Sequence, residues 1–378
     1  MRVEKRLSRF YYGVRSRHLT GRTSPLYSSS PLIFARLVSQ ELERNEMNPD
    51  TSHGAQRVAP TKPPVVTVTH IVELRQLLAA ERASNRTVGL VPTMGALHEG
   101  HLSLIDRSRN ENDVTVVTLF VNPTQFRPGE DLDQYPRQFE QDRHLAEEHG
   151  ADFLFAPTTD EIYPNGHATR VSVAGISEHL CGDANRRGSE HFTGVATVVT
   201  KLFNIVAPDR AYFGQKDAQQ VSVIKQFARD LNIPVDVVVC PTVREQDGLA
   251  MSSRNAYLSP DERERALSLW NALSAAREAV FAGQTDAAQI IAAASVHLEA
   301  VELEYFELVD PDTLIEVERI EGKTLAAIAA RCGNTRLIDN LLLQPVDTGS
   351  TSTRNKIPTQ SISARTSPST PIYQGAVA

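Results

Sequence analysis

The chain has 378 residues, 41% hydrophobic and 22% charged, which is ordinary globular material with room for two domains. Its formal net charge of −7 argues against general nucleic-acid binding, which rests on neutralising phosphates. No stretch approaches the roughly 20 apolar residues of a membrane span.

In chain order, residues 1–40 carry Arg2, Arg6, Arg9, Arg15, Arg17, Arg22 and Arg36 with serines and almost no acids, the composition of an organelle transit peptide. The alternative is that translation begins at Met47, which leaves a cytoplasmic protein. Residues 1–62 and the Ser/Thr/Pro-rich tail 346–378 lack a repeating apolar pattern and are expected to be disordered. Cys181, Cys240 and Cys332 lack metal or redox spacing and read as buried or incidental thiols in a reducing compartment.

From about 64 to 242 short apolar runs alternate with amphipathic stretches. Strands are expected at Thr87 to Pro92, Val114 to Val121, Phe153 to Phe155, Ala211 to Phe213 and Val235 to Val239. Helices are expected at His101 to Asn110, Arg137 to His149, Gly194 to Val206 and Asp217 to Leu231. This pattern predicts an α/β, Rossmann-like, doubly wound parallel sheet over 63–242, with ligands gathering at the carboxyl ends of its strands. Beyond 243 the character changes. Ser259-Pro260-Asp261-Glu262 is a strong start signal for a helix to Phe281, and Thr285 is expected to cap a second helix to Ala300. Three β-prone segments follow, at Glu304 to Val309, Thr324 to Ala329 and Thr335 to Leu341, making 243–345 a smaller α+β domain that closes over the first.

The most informative segment is Pro92-Thr93-Met94-Gly95-Ala96-Leu97-His98-Glu99-Gly100-His101, where a buried strand hands over to a helix. Two imidazoles three apart at a helix start, with glycines opening the backbone, suit a phosphate site. A zinc-protease helix needs its two histidines four apart, so the spacing speaks against a metal, and no metal-ligating set is assigned. Four further clusters follow strand ends or turns. Asn122-Pro123-Thr124-Gln125 offers neutral amides. Gly214-Gln215-Lys216-Asp217 offers a cation and a carboxylate. Ala218-Gln219-Gln220 sends a further amide to the same side, and Met251-Ser252-Ser253-Arg254 supplies two hydroxyls and a fixed cation. Each alone reads more readily as a cap or a solvated turn; their order along the chain makes them informative together.

Together these motifs, spread over about 64–343, resemble the pantothenate synthetases, the pantoate–β-alanine ligases of the nucleotidyltransferase superfamily with the HIGH signature. His98-Glu99-Gly100-His101 corresponds to that signature, and Met251 to Arg254 to the mobile second one. The resemblance implies an ATP-dependent condensation of (R)-pantoate with β-alanine through pantoyl adenylate, releasing pyrophosphate and then AMP, with Mg²⁺ on the phosphates and a homodimer as the working form. It implies that Met94, Gly95, Ala96, Leu97, His98, Glu99, Gly100 and His101 contact ATP. The same role falls to Gly214, Gln215, Lys216, Asp217, Val243, Met251, Ser252, Ser253 and Arg254. Gln125 and Gln220 would bind pantoate. His101, His98, Lys216 and Arg254 are the catalytic set, with His101 as proton donor. The competing readings are an adenylyltransferase acting on a phosphorylated acceptor, which would call for cations where Gln125 and Gln220 stand, and an inactive nucleotide-binding paralogue.

Two features depart from the family pattern. Gln215 stands where relatives usually carry Glu. The segment Leu180 to Phe192 has about three extra residues and no proline, so either Arg186 or Arg187 could take the family's arginine position, and neither is assigned to the site.

Overall fold

A computed structural model of the chain describes residues 64–345; the expectations for the N-terminal extension and the C-terminal tail lie outside the described residues. Six parallel strands form the larger sheet: β1 (Val66–Val68), β2 (Val88–Thr93), β3 (Val114–Leu119), β4 (Phe153–Phe155), β5 (Arg210–Gly214) and β6 (Asp236–Cys240). Their order across the sheet is β1-β4-β3-β2-β5-β6. The chain moves outward from β2 on one side and then returns to build β5 and β6 on the other. The switch point therefore lies between β2 and β5, where such a sheet opens a crevice at its carboxyl edge.

The strands are apolar on both faces, and their period of two sorts the side chains. Val88, Leu90, Val114, Val116, Phe153, Phe155 and Phe213 join one core, with α1 (Ile71–Ala83), α5 (Glu190–Val206) and α6 (Ala218–Asp230) covering them. Val91, Val117, Leu154 and Tyr212 face the opposite way, onto α2 (Glu99–Glu111) and α3 (Phe139–Glu148). A single turn, α4 (Thr159–Ile162), follows β4.

The smaller sheet is antiparallel, in the order β7 (Glu302–Val309), β8 (Thr324–Cys332) and β9 (Thr335–Leu343). It too is buried on both faces. Ala326, Ile328 and Ala330 pack with α7 (Pro260–Phe281) and α8 (Ala287–Ser295), whereas Leu325, Ala327 and Ala329 join the core under α5 and α6. The expected capping box is present, with Ser259 and Glu262 bonded reciprocally at the start of α7. No helix among the described residues is long and apolar enough to cross a membrane, and all three cysteines are buried with free thiols.

Several boundaries differ from expectation. Asp286, not Thr285, caps α8 by accepting from the Gln289 N–H, and α8 stops at Ser295, with a 3-10 turn to Leu298. A carboxylate takes the cap when a threonine lies beside it, because it is the stronger acceptor for that N–H. Helix α5 begins four residues before Gly194, since buried His191 and Phe192 already belong to its first turn. The unanticipated α1 carries buried Leu74 and Leu78.

Candidate functional site

The turn after β2 builds the first wall. Gly95 has φ +90°, and a side chain there would come within 2.9 Å of Asp142. That close approach lets the Asp142 carboxylate accept from the Ala96 and Leu97 N–H groups at 2.9 and 2.7 Å. Those amides are therefore engaged within the protein, and Gly95, Ala96, Leu97 and Glu99 do not line the cavity beside them. Met94, His98, Gly100 and His101 do line it.

His98 caps α2, and its Nδ1 accepts the Gly100 N–H at 3.1 Å, which puts the ring proton on Nε2. Its ring lies 4.1 Å from that of His101. Burial, and then the charge of Lys216, lower the His98 pKa to about 4. Burial likewise holds His101 well below its ordinary value, with His98 and Lys216 adding to the effect. Both rings are thus neutral near pH 7. His101 Nδ1 is buried and has no hydrogen-bond partner, an arrangement that costs about 1–3 kcal/mol until a ligand or water supplies one.

Behind β3, the 3-10 turn Pro123–Gln125 is held from several directions. Asn122 donates to Gln125 Oε1 (2.9 Å) and to the Gly194 carbonyl (3.2 Å), and accepts from Tyr163 (2.8 Å). Asn122 is therefore a support, and Gln125 carries its amide nitrogen to 3.3 Å from Met94 Sδ. Of the two neighbouring glutamines on α6, Gln219 is consumed by Cys181 N–H and the carbonyls of Ile176 and His179, and Gln220 faces the cavity.

Lys216 and Asp217 follow β5, with Nζ 3.4 Å from the Asp217 carboxylate. Gln215 turns away from the cavity, and its amide donates to Asn340 of β9. Val243, Met251, Ser252, Ser253 and Arg254 close the opposite side. Arg254 makes a two-point pair with Asp131, at 2.9 and 3.0 Å, and Ser253 meets Tyr135 at 3.3 Å. These contacts join the second signature to the loop after β3.

The cavity has a volume of about 220 Å³ and adjoins a second of about 620 Å³, the two sharing Arg187, Lys216, Asp217, Ser252 and Arg254 as walls. The structure also separates the two adjacent arginines. Arg186 pairs with Glu307 at 2.6 Å and lies 4.7 Å from the Tyr305 ring, away from the main cavity. Arg187 lines it, held by Glu130 at 3.0 and 2.7 Å and lying 3.3 Å from His191 Nε2. His191 in turn donates from Nδ1 to the Gln125 carbonyl at 2.7 Å. Neither Arg187 nor His191 was assigned from the sequence. The available signal was a basic pair just before a helix start, which does not say which arginine turns inward.

Segments that follow β2, β3, β5 and β6, with the residues at the start of α5, thus bring His98, His101 and His191, Lys216, Arg187 and Arg254, and the amides of Gln125 and Gln220 around one hollow at the switch point. This is the layout of doubly wound α/β proteins that take a nucleotide at the carboxyl edge of the sheet. The sequence model of the pantoate–β-alanine ligase family matches residues 66–342, and the chain belongs to that family. It is 53% identical over 278 residues to the pantothenate synthetase of Acetivibrio thermocellus, covering 72% of this chain and 98% of that protein. It is 52% identical over 276 residues to that of Thermotoga petrophila, again covering 72% and 98%. Among solved structures, the pantothenate synthetase of Thermus thermophilus superposes with a TM-score of 0.70 at 47% identity, covering 74% of this chain and all of that one. The Francisella tularensis pantoate–β-alanine ligase, complexed with β,γ-ATP and β-alanine, gives 0.60 at 34% identity over 74% and 97%.

Proposed function

We propose that this chain condenses pantoate with β-alanine at the site just described, using ATP and passing through pantoyl adenylate. The observation that carries the reading is the convergence of His98, His101, Lys216, Arg254, Gln125 and Gln220 on one cavity. In the first step a pantoate carboxylate oxygen attacks the α-phosphorus, and the bond to the bridging oxygen of pyrophosphate breaks. An anion is then approaching an anion, so the protein's task is positioning and charge neutralisation. Lys216 and Arg254 supply fixed positive charge, and His98 presents a neutral Nε2–H. In the second step the β-alanine amine attacks the acyl carbon, the C–O bond to AMP breaks, and the amine loses a proton.

His101 is neutral in the free enzyme, so its part as proton donor depends on the nucleotide. Triphosphate oxygens near the ring would offset the Lys216 charge and supply an acceptor for the orphaned nitrogen. Both effects raise its affinity for a proton. Gln125 and Gln220 suit pantoate because amides orient hydroxyls and a carboxylate without neutralising the attacking oxygen. Arg187, fixed beside Gln125, adds a guanidinium that a substrate carboxylate can meet. Mg²⁺ enters as part of the MgATP substrate. Ions bound through phosphates keep several waters and need few protein ligands, and among the described residues no cluster of three His, Cys, Asp or Glu side chains forms a metal cage.

We further take residues 243–345 as the part that closes over the nucleotide, a homodimer as the working form, and the cytoplasm as its location. Sedimentation of the purified chain tests the dimer, and mass spectrometry of the native N-terminus distinguishes a start at Met47 from a removed leader. The decisive experiment for the activity is exchange of labelled pyrophosphate into ATP. Exchange should require pantoate but not β-alanine, and net AMP release should begin only when β-alanine is added. Equal stimulation by unrelated carboxylic acids would refute the reading.

A further inference from the structure

Two residues of the small sheet reach the cation-bearing segments from behind. Asn340 and Asp339, neighbours on β9, are each 4% exposed. The Asn340 amide nitrogen donates to the carbonyls of Gln215 (2.9 Å) and Lys216 (2.8 Å), while its oxygen accepts from Gln215 Nε2 (3.0 Å). Both of its donors and its acceptor are thus used. The Asn340 N–H donates to Asp339 at 2.7 Å. Asp339 also pairs with both terminal nitrogens of Arg244, at 2.6 and 2.9 Å. Arg244 lies 3.9 Å from the Trp270 ring, and its backbone bridges to Ala250, next to Met251.

We infer that Asn340 is a positioning residue for Lys216, and that with Asp339 it fixes the spacing between Lys216 and the Met251–Arg254 loop. The carbonyls it holds flank the Lys216 Cα, so they set the direction in which the side chain leaves the backbone. Asn340 borders a small pocket beside the main cavity, but its amide is spent entirely on Gln215 and Lys216, so its effect runs through the turn that carries Lys216. Gln215 belongs to the same device: its amide keeps the Asn340 oxygen away from the two carbonyls and its nitrogen on them. A carboxylate at 215 would face that oxygen and remove the bond.

The inference rests on the ligase reading, and its test can fail separately from it. Asn340→Asp keeps the shape of the side chain but turns an oxygen toward two carbonyl oxygens. Pantoate-dependent pyrophosphate exchange and binding of a non-hydrolysable ATP analogue are measured for the wild type, Asn340→Asp, Lys216→Ala and the double variant. Wild-type protein inert in exchange would overturn the ligase reading alone, because analogue binding still reports on Asn340. A positioning role predicts an exchange rate about 10- to 100-fold lower and weaker analogue binding. It also predicts that the Asn340→Asp effect disappears when Lys216 is already Ala, as expected for residues that act through one another. Losses that multiply in the double variant, or an Asn340→Asp enzyme within twofold of wild type, would overturn it. If Asn340→Asp does not fold, Gln215→Met at the half-buried partner position serves in its place, with a smaller loss of about threefold that must likewise vanish in Lys216→Ala.

Discussion

Gly194→Ala offers a strict test of the site because it adds one methyl group to a residue that touches no substrate. Gly194 lies in the first turns of α5, where an added Cβ would sit 2.4 Å from the Thr124 carbonyl oxygen and 2.7 Å from the Gln125 nitrogen. Both atoms are backbone, so no side chain can swing aside. Opening 2.4 Å to an ordinary contact of 3.4 Å moves the turn by about 1 Å, and stretches the Asn122 bond to the Gly194 carbonyl, now 3.2 Å. A displacement of that size at a substrate-positioning group lowers rate by roughly 10²-fold, or about 2.7 kcal/mol. Stability should change less, because helix propensity favours alanine by about 1 kcal/mol while overpacking costs about 1–3 kcal/mol. The assay is pantoate-dependent pyrophosphate exchange, read as kcat/KM for pantoate, beside binding of a non-hydrolysable ATP analogue. Exchange should collapse while analogue binding holds, since His98, Lys216 and Arg254 are carried by other segments. Gly322→Ala is the control, with nothing within 4 Å of its added Cβ. A Gly194→Ala enzyme with kcat/KM for pantoate within threefold of wild type would refute the reasoning that the Asn122–Gln125 turn orients this substrate.

Three further outcomes are expected. His101→Ala should slow adenylate formation by roughly 10² to 10³ in the exchange assay, the usual size for one lost donor to developing charge; normal turnover would remove His101 from the site. Lys216→Ala should lose both ATP-analogue affinity and exchange rate, because a point charge on phosphates acts in ground state and transition state alike, and loss of rate alone would contradict that role. Acid should destabilise the fold through its buried histidines. His191 is held at about 3 by burial and then by the Arg187 charge, and His98 at about 4. Between pH 6.5 and 4 the unfolded chain takes up protons at these positions and the folded one does not, so stability rises with pH in that window. Each such histidine contributes about 1.4 kcal/mol per pH unit. His191→Gln should flatten the slope of unfolding free energy against pH by about one proton's worth, and an unchanged slope would show that His191 titrates normally in the folded protein.

Much of the fold was legible because a parallel sheet covered on both faces leaves a strong trace. Runs such as Val114-Thr115-Val116-Val117 are apolar on both faces, and helix starts such as Ser259 carry their own hydrogen-bonding residues. Short elements left less to read. Three residues of β1 between Pro64 and His70 are too few to establish a period, yet pairing with β4 makes them a strand. Thr285 and Asp286 are both good caps, and the carboxylate, the stronger acceptor, takes the Gln289 N–H.

The site was legible to the extent that its residues are distinctive in type and order. What sequence order does not encode is competition for partners. Ala96 and Leu97 sit in the strand-to-helix turn expected to meet phosphate, but Asp142, 46 residues from Ala96, takes both N–H groups. That turn is therefore shaped before any nucleotide arrives. Those two amides are spent on holding the turn that carries His98 and His101. Arg186 and Arg187 are drawn apart by different carboxylates, Glu307 from the small sheet and Glu130 from the loop after β3. The same reasoning explains why Asp339 and Asn340 carried no signal. The segment Thr335 to Leu341 shows only that it is β-prone; it does not show that β9 buries this adjacent polar pair against the Lys216 turn and Arg244. A buried carboxylate costs several kcal/mol of desolvation unless a cation meets it closely. The Arg244 pair supplies that cation, and so ties the small sheet to the loop that carries Arg254.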